Sequence, residues 1–168
     1  MSMDDLYSKP GHLIRRAHQI IVGMFLEECA TFDITSVQYA CLVAAREHRD
    51  LDATRLSHLV ALDRSTLGKV LDRLESKGLI RRSGSAEDRR VKTIQLTSEG
   101  DHLIAAVEPA VCRAQERLLG RLPAEERRRF LTTLSRLVEL NNEFSRAPLR
   151  LVTEDDRLAI PRREAKKP

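Results

Sequence analysis

Apolar side chains recur at helical spacing over most of this chain. The segments with this spacing lie at about 12–29, 36–47, 54–62, 63–77, 98–119 and 123–140. Residues 91–96 instead show the roughly alternating pattern of a strand. A period of about 3.6 is typical of helices, and a period of two is typical of strands. The pattern therefore predicts a mostly α-helical protein with one small β element.

The middle of the chain has the proportions of a helix-turn-helix followed by a β-hairpin. A short helix beginning at Thr54 is joined by a tight turn to a longer helix. Asp63 is suited to cap the start of the longer helix, and Gly78 is suited to end it in a left-handed conformation. Strands at 79–82 and 91–96 would then form a wing. The arrangement predicts a winged helix-turn-helix whose longer helix is the recognition helix.

Positive charge is concentrated on this predicted lobe. Residues 54–97 contain ten Lys or Arg and five Asp or Glu, a net charge of +5, whereas the whole chain has a net charge of +4. A basic surface on an element shaped to enter a groove indicates duplex DNA as the partner. The chain contains two Tyr, four Phe and no Trp, which argues against a single-strand binding surface built on base stacking.

The composition argues against several other classes. Cys29, Cys41 and Cys112 have no close spacing, so we expect no disulfide framework. No apolar run approaches the roughly 20 residues that span a bilayer, and the first residues do not resemble a secretory leader. We therefore expect a cytoplasmic protein with no membrane partner. Phosphate-binding loops, nucleophile motifs and metal-ligand spacings are not found in the sequence, so we expect neither an enzyme nor a cofactor or bound metal.

The long amphipathic helices carry more apolar surface than the small central lobe can cover. A second copy of the chain is the simplest partner for these faces, and a twofold dimer would present two recognition helices to a palindromic operator. We expect a homodimer whose chain divides into a flexible N-terminus at 1–9, a dimerisation helix at 10–33, a winged helix-turn-helix DNA-binding domain at 34–97, dimerisation helices at 98–144, and a basic, flexible tail at 145–168.

Three sequence motifs carry a family resemblance. Residues 88–97, DRRVKTIQLT, match the pattern D-x-R-x-x-x-x-x-L-T and are followed by Ser-Glu-Gly. Residues 71–80, LDRLESKGLI, match the end of a recognition helix, and Ile34-Thr35 with Gln38 matches a helix opening. In this combination and order, residues 10–142 resemble the MarR family of multiple antibiotic resistance regulators. The resemblance implies a winged helix-turn-helix with a helical dimerisation region, acting as a transcriptional repressor.

Side-chain chemistry and the resemblance together give the candidate DNA contacts. These are Thr54 and His58 on the first helix of the motif, Arg64, Ser65, Thr66, Lys69 and Arg73 on the recognition helix, and Asp88, Arg89 and Arg90 at the wing tip. The resemblance implies that Arg90 enters the minor groove and that Asp88 orients the wing tip through an ion pair. A solvated charged face is the alternative for any one of these residues, and Arg73 also suits a structural ion pair.

The opening of the first long helix, PGHLIRRAH at 10–18, is similar to that of MarR relatives that repress the degradation of aromatic and heteroaromatic acids. This similarity implies a small benzoate-like or nicotinate-like carboxylate as effector, held between the dimerisation helices and the DNA-binding lobe. Arg15 suits bidentate binding of the carboxylate, and His18 can donate a second, pH-dependent bond. The other candidates are His12, Phe25, Gln38 and Tyr39. The alternative is that Arg15 pairs with a surface carboxylate and that His18 is half-buried.

Two other functions remain open from the sequence. The first is a redox-responsive repressor that uses Cys29, although Glu27 and Glu28 would raise the pKa of this thiol and disfavour the reactive thiolate. The second is an architectural DNA-binding protein that responds to no ligand, which the wing and the basic tail would support. Release from a specific operator by a small acid distinguishes the proposed repressor from both.

Overall fold

The computed structural model describes residues 2–48, 51–84 and 92–150. Its α-helices are α1 (Met3–Tyr7), α2 (Pro10–Glu28), α3 (Ser36–Glu47), α4 (Ala53–Leu59), α5 (Arg64–Ser76), α6 (Ser98–Leu119) and α7 (Ala124–Leu140). Its strands are β1 (Leu51–Asp52), β2 (Ile80–Gly84) and β3 (Lys92–Leu96), and its 3₁₀ helices are η1 (Ala30–Phe32) and η2 (Asn142–Phe144). The predicted fold class, mostly α with a small β-wing, is confirmed.

Polar side chains cap the helices where the sequence predicts. Thr35 Oγ1 accepts a hydrogen bond from Gln38 N, and Thr97 Oγ1 accepts one from Gly100 N. Asp63 Oδ1 accepts from Thr66 N at 3.0 Å, which confirms it as the N-cap of α5. The predicted start of α4 at Thr54 is wrong by one residue. The helix begins at Ala53 because the carboxylate of Asp52 accepts from Arg55 N at 2.8 Å.

The sheet is antiparallel, with strand order β1-β3-β2. The hairpin pairs Ile80 with Leu96 and Gly84 with Lys92, as expected for the base of a wing. The third strand, β1, pairs Leu51 with Ile94 and is not predicted from the sequence. Its two residues are too few to show an alternation of apolar and polar side chains.

The apolar face of α5 lies at the centre of the DNA-binding lobe. Leu67, Leu71 and Leu74 are buried there, whereas Val70 is partly buried at the margin. They belong to a core to which α3, α4 and the sheet contribute Leu42, Leu51, Leu56 and Ile94, and α6 contributes Ile104 and Val107. This core fixes the orientation of the recognition helix from behind. Its opposite face remains available for contact.

The faces of α2 and α7 remain uncovered in the single chain. No residue of α7 is buried, and Phe130, Leu131, Leu134, Leu137, Val138 and Leu140 are all exposed. On α2 the exposed apolar residues are Leu13, Ile14, Ile20 and Leu26. Exposed apolar stripes of this extent are typical of an interface. None of the helices in the described ranges is long and apolar enough to cross a membrane.

Parts of the two segments predicted to be flexible carry local structure. Within 1–9, residues 3–7 form α1, because Ser2 and Asp5 complete a capping box by exchanging side-chain and backbone hydrogen bonds. Within 145–168, the described part is bonded to the rest of the chain: Leu149 bonds to the Asn142 side chain, and Arg150 N bonds to His58 O. The remainder, 151–168, lies outside the described residues.

Replacement of Gly78 and of Gly68 by alanine should change stability in opposite directions. Gly78 follows α5 with a φ of +70°, where a Cβ costs about 1–2 kcal/mol, so Gly78→Ala should destabilise the fold. Gly68 lies inside α5 with no atom within 4 Å of an added Cβ, so Gly68→Ala should stabilise it by about 0.5–1 kcal/mol. Urea unfolding at one protein concentration measures both. Changes of the same sign would contradict the assigned backbone conformations.

Candidate DNA-binding interface and effector site

The start of α5 presents polar side chains to solvent. Asp63 caps the helix, and the exposed residues Arg64, Ser65, Thr66 and Lys69 follow within two turns. Neither Ser65 nor Lys69 has a side-chain hydrogen bond to another residue of the described ranges. A hydroxyl and an ammonium in this position are suited to phosphate oxygens or base edges.

Two other candidate contacts are engaged within the helix-turn-helix. Arg64 Nη2 donates to Thr54 Oγ1 at 3.3 Å and so connects the first turns of α4 and α5. Thr66 Oγ1 donates to Asp63 Oδ2 at 2.6 Å. This bond, together with the backbone bond from Thr66, holds the pKa of the Asp63 carboxyl below its usual value. Because the Thr66 proton is used by Asp63, the Thr66 hydroxyl remains available only as an acceptor.

Arg73 lies one turn beyond Lys69, beside a cavity between the two lobes. The cavity, of about 380 Å³, is lined by residues including Arg73, Lys77 and Gln38. Among the ion pairs of the described ranges, Arg73 takes part in none. Lys77 instead pairs with Asp33 at 2.8 Å, which connects the C-terminal end of α5 to the segment after η1.

A cluster around Arg82 joins the wing to the recognition helix. Arg82 Nε donates to Glu75 Oε2 at 2.8 Å, and its backbone N–H donates to Glu75 Oε1 at 3.0 Å. Arg82 Nη2 also pairs with Asp72 Oδ1 at 2.7 Å. The bonds from Arg82 hold the pKa of the Glu75 carboxyl below its usual value, and Glu75 raises the pKa of Arg82. These three side chains fix β2 relative to α5.

Sequence reasoning missed this cluster. Asp72 and Glu75 are three residues apart and therefore share a face of α5. This pair of carboxylates is the one local signal in the sequence that a cationic side chain could bind there. Nothing in the periodicity shows that the chain turns back to place Arg82 against them. The predicted wing-tip residues Asp88, Arg89 and Arg90 lie outside the described residues.

His12 and Arg15 are the two candidate effector residues that the structure brings together. Arg15 Nη1 donates to Gln19 Oε1 at 2.9 Å, and Arg15 Nη2 lies 3.4 Å from His12 Nδ1. The His12 ring lies with its centroid 5.4 Å from that of Tyr7, a residue of α1 that the sequence did not suggest. Tyr7, His12, Leu13, Arg15 and Arg16 line a surface cavity of about 480 Å³.

The other effector candidates do not line this cavity in the single chain. His18 is exposed on α2, whereas Phe25 belongs to the buried core. Gln38 Oε1 accepts from Thr35 N at 3.0 Å as part of the α3 cap, and its side chain lines the interlobe cavity beside Arg73. Tyr39 packs against the core, and burial followed by the charge of Glu108 raises the pKa of its hydroxyl.

The thiol groups differ in accessibility. Cys29 is 1% exposed, and burial, with a smaller contribution from Glu28, raises the pKa of its thiol. Burial raises the pKa of Cys41 to about 12, whereas Cys112 is exposed. Because the thiolate is the reactive form, the surroundings of Cys29 disfavour the redox alternative. Over the described ranges, no three His, Cys, Asp or Glu side chains form a group able to hold a metal ion.

The helix-turn-helix, the hairpin wing joined to it and the exposed polar face of α5 define a winged-helix DNA-binding protein. Comparison with known proteins narrows this class. The sequence model of the protein family described as "MarR family" matches residues 34–92. The HTH-type transcriptional repressor NicR of Pseudomonas putida is 30% identical over 135 residues, which are 80% of this chain and 85% of NicR.

Solved structures give the same result. The structure of Bordetella bronchiseptica BpsR, whose DNA binding is regulated by 6-hydroxynicotinic acid, is 27% identical, with a TM-score of 0.74 over 78% of this chain and 94% of BpsR. The transcriptional repressor CouR bound to a 23-mer DNA duplex is 26% identical, with a TM-score of 0.76 over 82% of this chain and 98% of CouR. The chain belongs to the MarR family and is a transcriptional regulator.

Removal of the charge of Glu75 should weaken DNA binding. In Glu75→Gln, the exposed polar residues at the start of α5 are unchanged but the ion pair that orients the wing is lost, so operator affinity should fall several-fold. Fluorescence anisotropy with labelled operator measures the change. Glu47→Gln is the control, because it makes the same charge change on an exposed residue of α3 in the same lobe. Equal affinities of the two variants would show that the Arg82 cluster does not position the wing.

Proposed function

We propose that this protein is a homodimeric repressor that a small aromatic or N-heteroaromatic carboxylic acid releases from a palindromic operator. The observation that carries the effector part is the Arg15 guanidinium in a surface cavity of the dimerisation helix α2. No carboxylate of the described residues lies within ion-pair distance of it, and its two hydrogen-bonding neighbours, Gln19 and His12, are not anionic. Such a guanidinium suits the planar, bidentate binding of a carboxylate.

DNA binding is proposed to use both elements that the Arg82 cluster joins. Ser65 and Lys69 contact base edges or phosphates in the major groove, and Arg64 contributes positive charge at the same end of α5. Thr54 and His58 approach the sugar-phosphate backbone from α4. The wing tip, with Asp88, Arg89 and Arg90, enters the adjacent minor groove, as the family resemblance implies. Arg73, beside the interlobe cavity, is a weaker candidate for DNA contact than Lys69.

The proposed dimer follows from the uncovered apolar faces of α2 and α7. MarR regulators are dimers, and a twofold interface would cover the same stripe on both copies. The two recognition helices would then meet half-sites about one DNA turn, or roughly 34 Å, apart. In the dimer the Arg15 cavity lies on the helix that the interface covers. A partner chain can therefore supply the walls that Phe25, Gln38 and Tyr39 do not provide within one chain.

The nature of the effector is inferred from BpsR, which responds to 6-hydroxynicotinic acid. An acid of this class combines a carboxylate for Arg15 with a flat ring, and His12 and His18 supply hydrogen-bonding partners on the same helix. Binding would favour the dimer geometry that does not fit both half-sites, by a population shift. The route from α2 to the recognition helix runs through η1 and the Lys77–Asp33 ion pair at the end of α5.

The effector site is tested by comparing Arg15→Ala with Arg121→Ala. Both variants remove one exposed guanidinium, but Arg121 lies between α6 and α7 and does not line the Arg15 cavity, and neither residue is placed at the DNA. An operator obtained by selection from random duplexes is titrated with benzoic, nicotinic and 6-hydroxynicotinic acids while anisotropy reports release. We expect Arg15→Ala to bind the operator normally but to need about 10- to 100-fold more acid, as loss of a charged bidentate contact predicts. Equal responses of the two variants would contradict the proposed site, and a wild-type protein that no acid releases would contradict the effector class.

A further inference from the structure

The C-terminal end of α4 is capped by a distant part of the chain. The last carbonyls of any helix lack donors within the helix and need other partners. Here Leu56 O accepts from Val60 N at 3.0 Å, and Ser57 O accepts from Leu62 N at 3.1 Å across Ala61, which has a left-handed φ of 51°. The bond from Leu62 N to Ser57 O is the first of the two bonds that define a Schellman motif. The next carbonyl, His58 O, accepts from the backbone N–H of Arg150 at 3.1 Å.

One side chain holds Arg150 in this position. Asn142, in η2, donates from Nδ2 to Leu149 O at 3.0 Å and accepts at Oδ1 from Leu149 N at 2.8 Å. The two bonds fix both polar groups of the residue that precedes Arg150, much as a neighbouring strand would. A bond from Ala147 N to Ser145 Oγ closes the intervening turn at 3.2 Å. Residues 142–150 are called the C-terminal clasp below.

The clasp connects the dimerisation region to the DNA-binding lobe. It begins directly after α7, whose apolar face is uncovered in the single chain, and it ends on α4. At its other end α4 is bonded to the recognition helix, since Arg64 donates to Thr54. Thus α4 is held from both sides, by α5 at its start and by the clasp at its end. The clasp also lies beyond residues 34–92, the segment that the family model matches.

We propose that Asn142 is a positioning residue for DNA binding: by seating the clasp on His58 it fixes the orientation of α4, and hence of α5, relative to the dimerisation helices. In a dimer, this orientation sets the spacing of the two recognition helices. The proposal rests on the DNA-binding and dimeric parts of the proposed function, and it is independent of the effector. It assigns to the clasp a role that needs no contact between the clasp and DNA.

The test compares Asn142→Ala with Asn141→Ala. The side chain of the neighbouring Asn141 donates through Nδ2 to Leu137 O of α7 and has no other hydrogen bond to the described residues. Asn141→Ala therefore keeps the side-chain bonds of the clasp, and neither substitution changes the charge. Operator affinity is measured by anisotropy at several salt concentrations, and hydrogen exchange of the Arg150 amide reports whether the clasp is seated. We expect Asn142→Ala to bind about three- to tenfold more weakly, with an unchanged salt slope because no phosphate contact is lost. The Arg150 amide should exchange faster in this variant alone.

Leu149→Pro serves as a second variant, because it removes the N–H that bonds to Asn142 without changing any charge, and it should behave like Asn142→Ala. Circular dichroism and the oligomeric state check that both variants remain folded dimers. Wild-type affinity in variants whose Arg150 amide exchanges fast would overturn the proposal, as would an unprotected Arg150 amide in the wild-type protein. A reduced salt slope would show that the clasp instead contributes a phosphate contact. A wild-type protein that does not prefer the operator over other DNA would contradict the proposed function, but it would not contradict the role of Asn142 in seating the clasp.

Discussion

The geometry of the DNA-binding lobe depends on the ion pairs of Arg82. A winged helix binds duplex DNA with two elements, and these are effective only if their relative orientation is fixed. Arg82, on β2, satisfies this constraint by bonding to Glu75 and Asp72 on α5. The side chain of Arg82 is 23% exposed and that of Glu75 is 37% exposed, so solvent reduces the contribution of the pair to folding stability. The pair matters chiefly for the orientation of the wing, because the backbone N–H, Nε and Nη2 of Arg82 donate to the carboxylates of Glu75 and Asp72.

Similar polar links join α2 to α6 and the end of α5 to the segment that follows α2. Arg113 and Arg117 of α6 both pair with Glu28 at 2.8 Å, and they hold the pKa of this carboxyl below its usual value at the end of α2. Lys77 then joins the end of α5 to Asp33, shortly after α2. Polar links of this kind are directional but individually weak. If the proposed effector acts by changing the orientation of the lobes, it must bind one orientation more tightly than the other.

Local sequence signals predicted the elements of this fold well. The helix opening at Thr35 and the cap at Asp63 are correct because a capping side chain bonds to a backbone two or three residues away. The cluster of Arg82 and the contact of Arg150 with His58 were missed because they join segments that only the folded chain brings together. The effector candidates show the same limit. His12 and Arg15 are one helical turn apart and lie together, whereas Gln38 and Tyr39 lie on another helix whose relation to α2 no periodicity defines.

If α5 selects a DNA sequence, the exposed Lys69 on its first turns should contribute to that selection. An operator is selected from random duplex DNA, and its affinity is compared by anisotropy with that of a scrambled duplex of the same composition, for the wild-type protein and for Lys69→Ala. We expect the wild-type protein to prefer the operator at least about 10³-fold and Lys69→Ala to lose much of this preference. Equal affinity of the wild-type protein for both duplexes would contradict the account and would indicate an architectural DNA-binding protein.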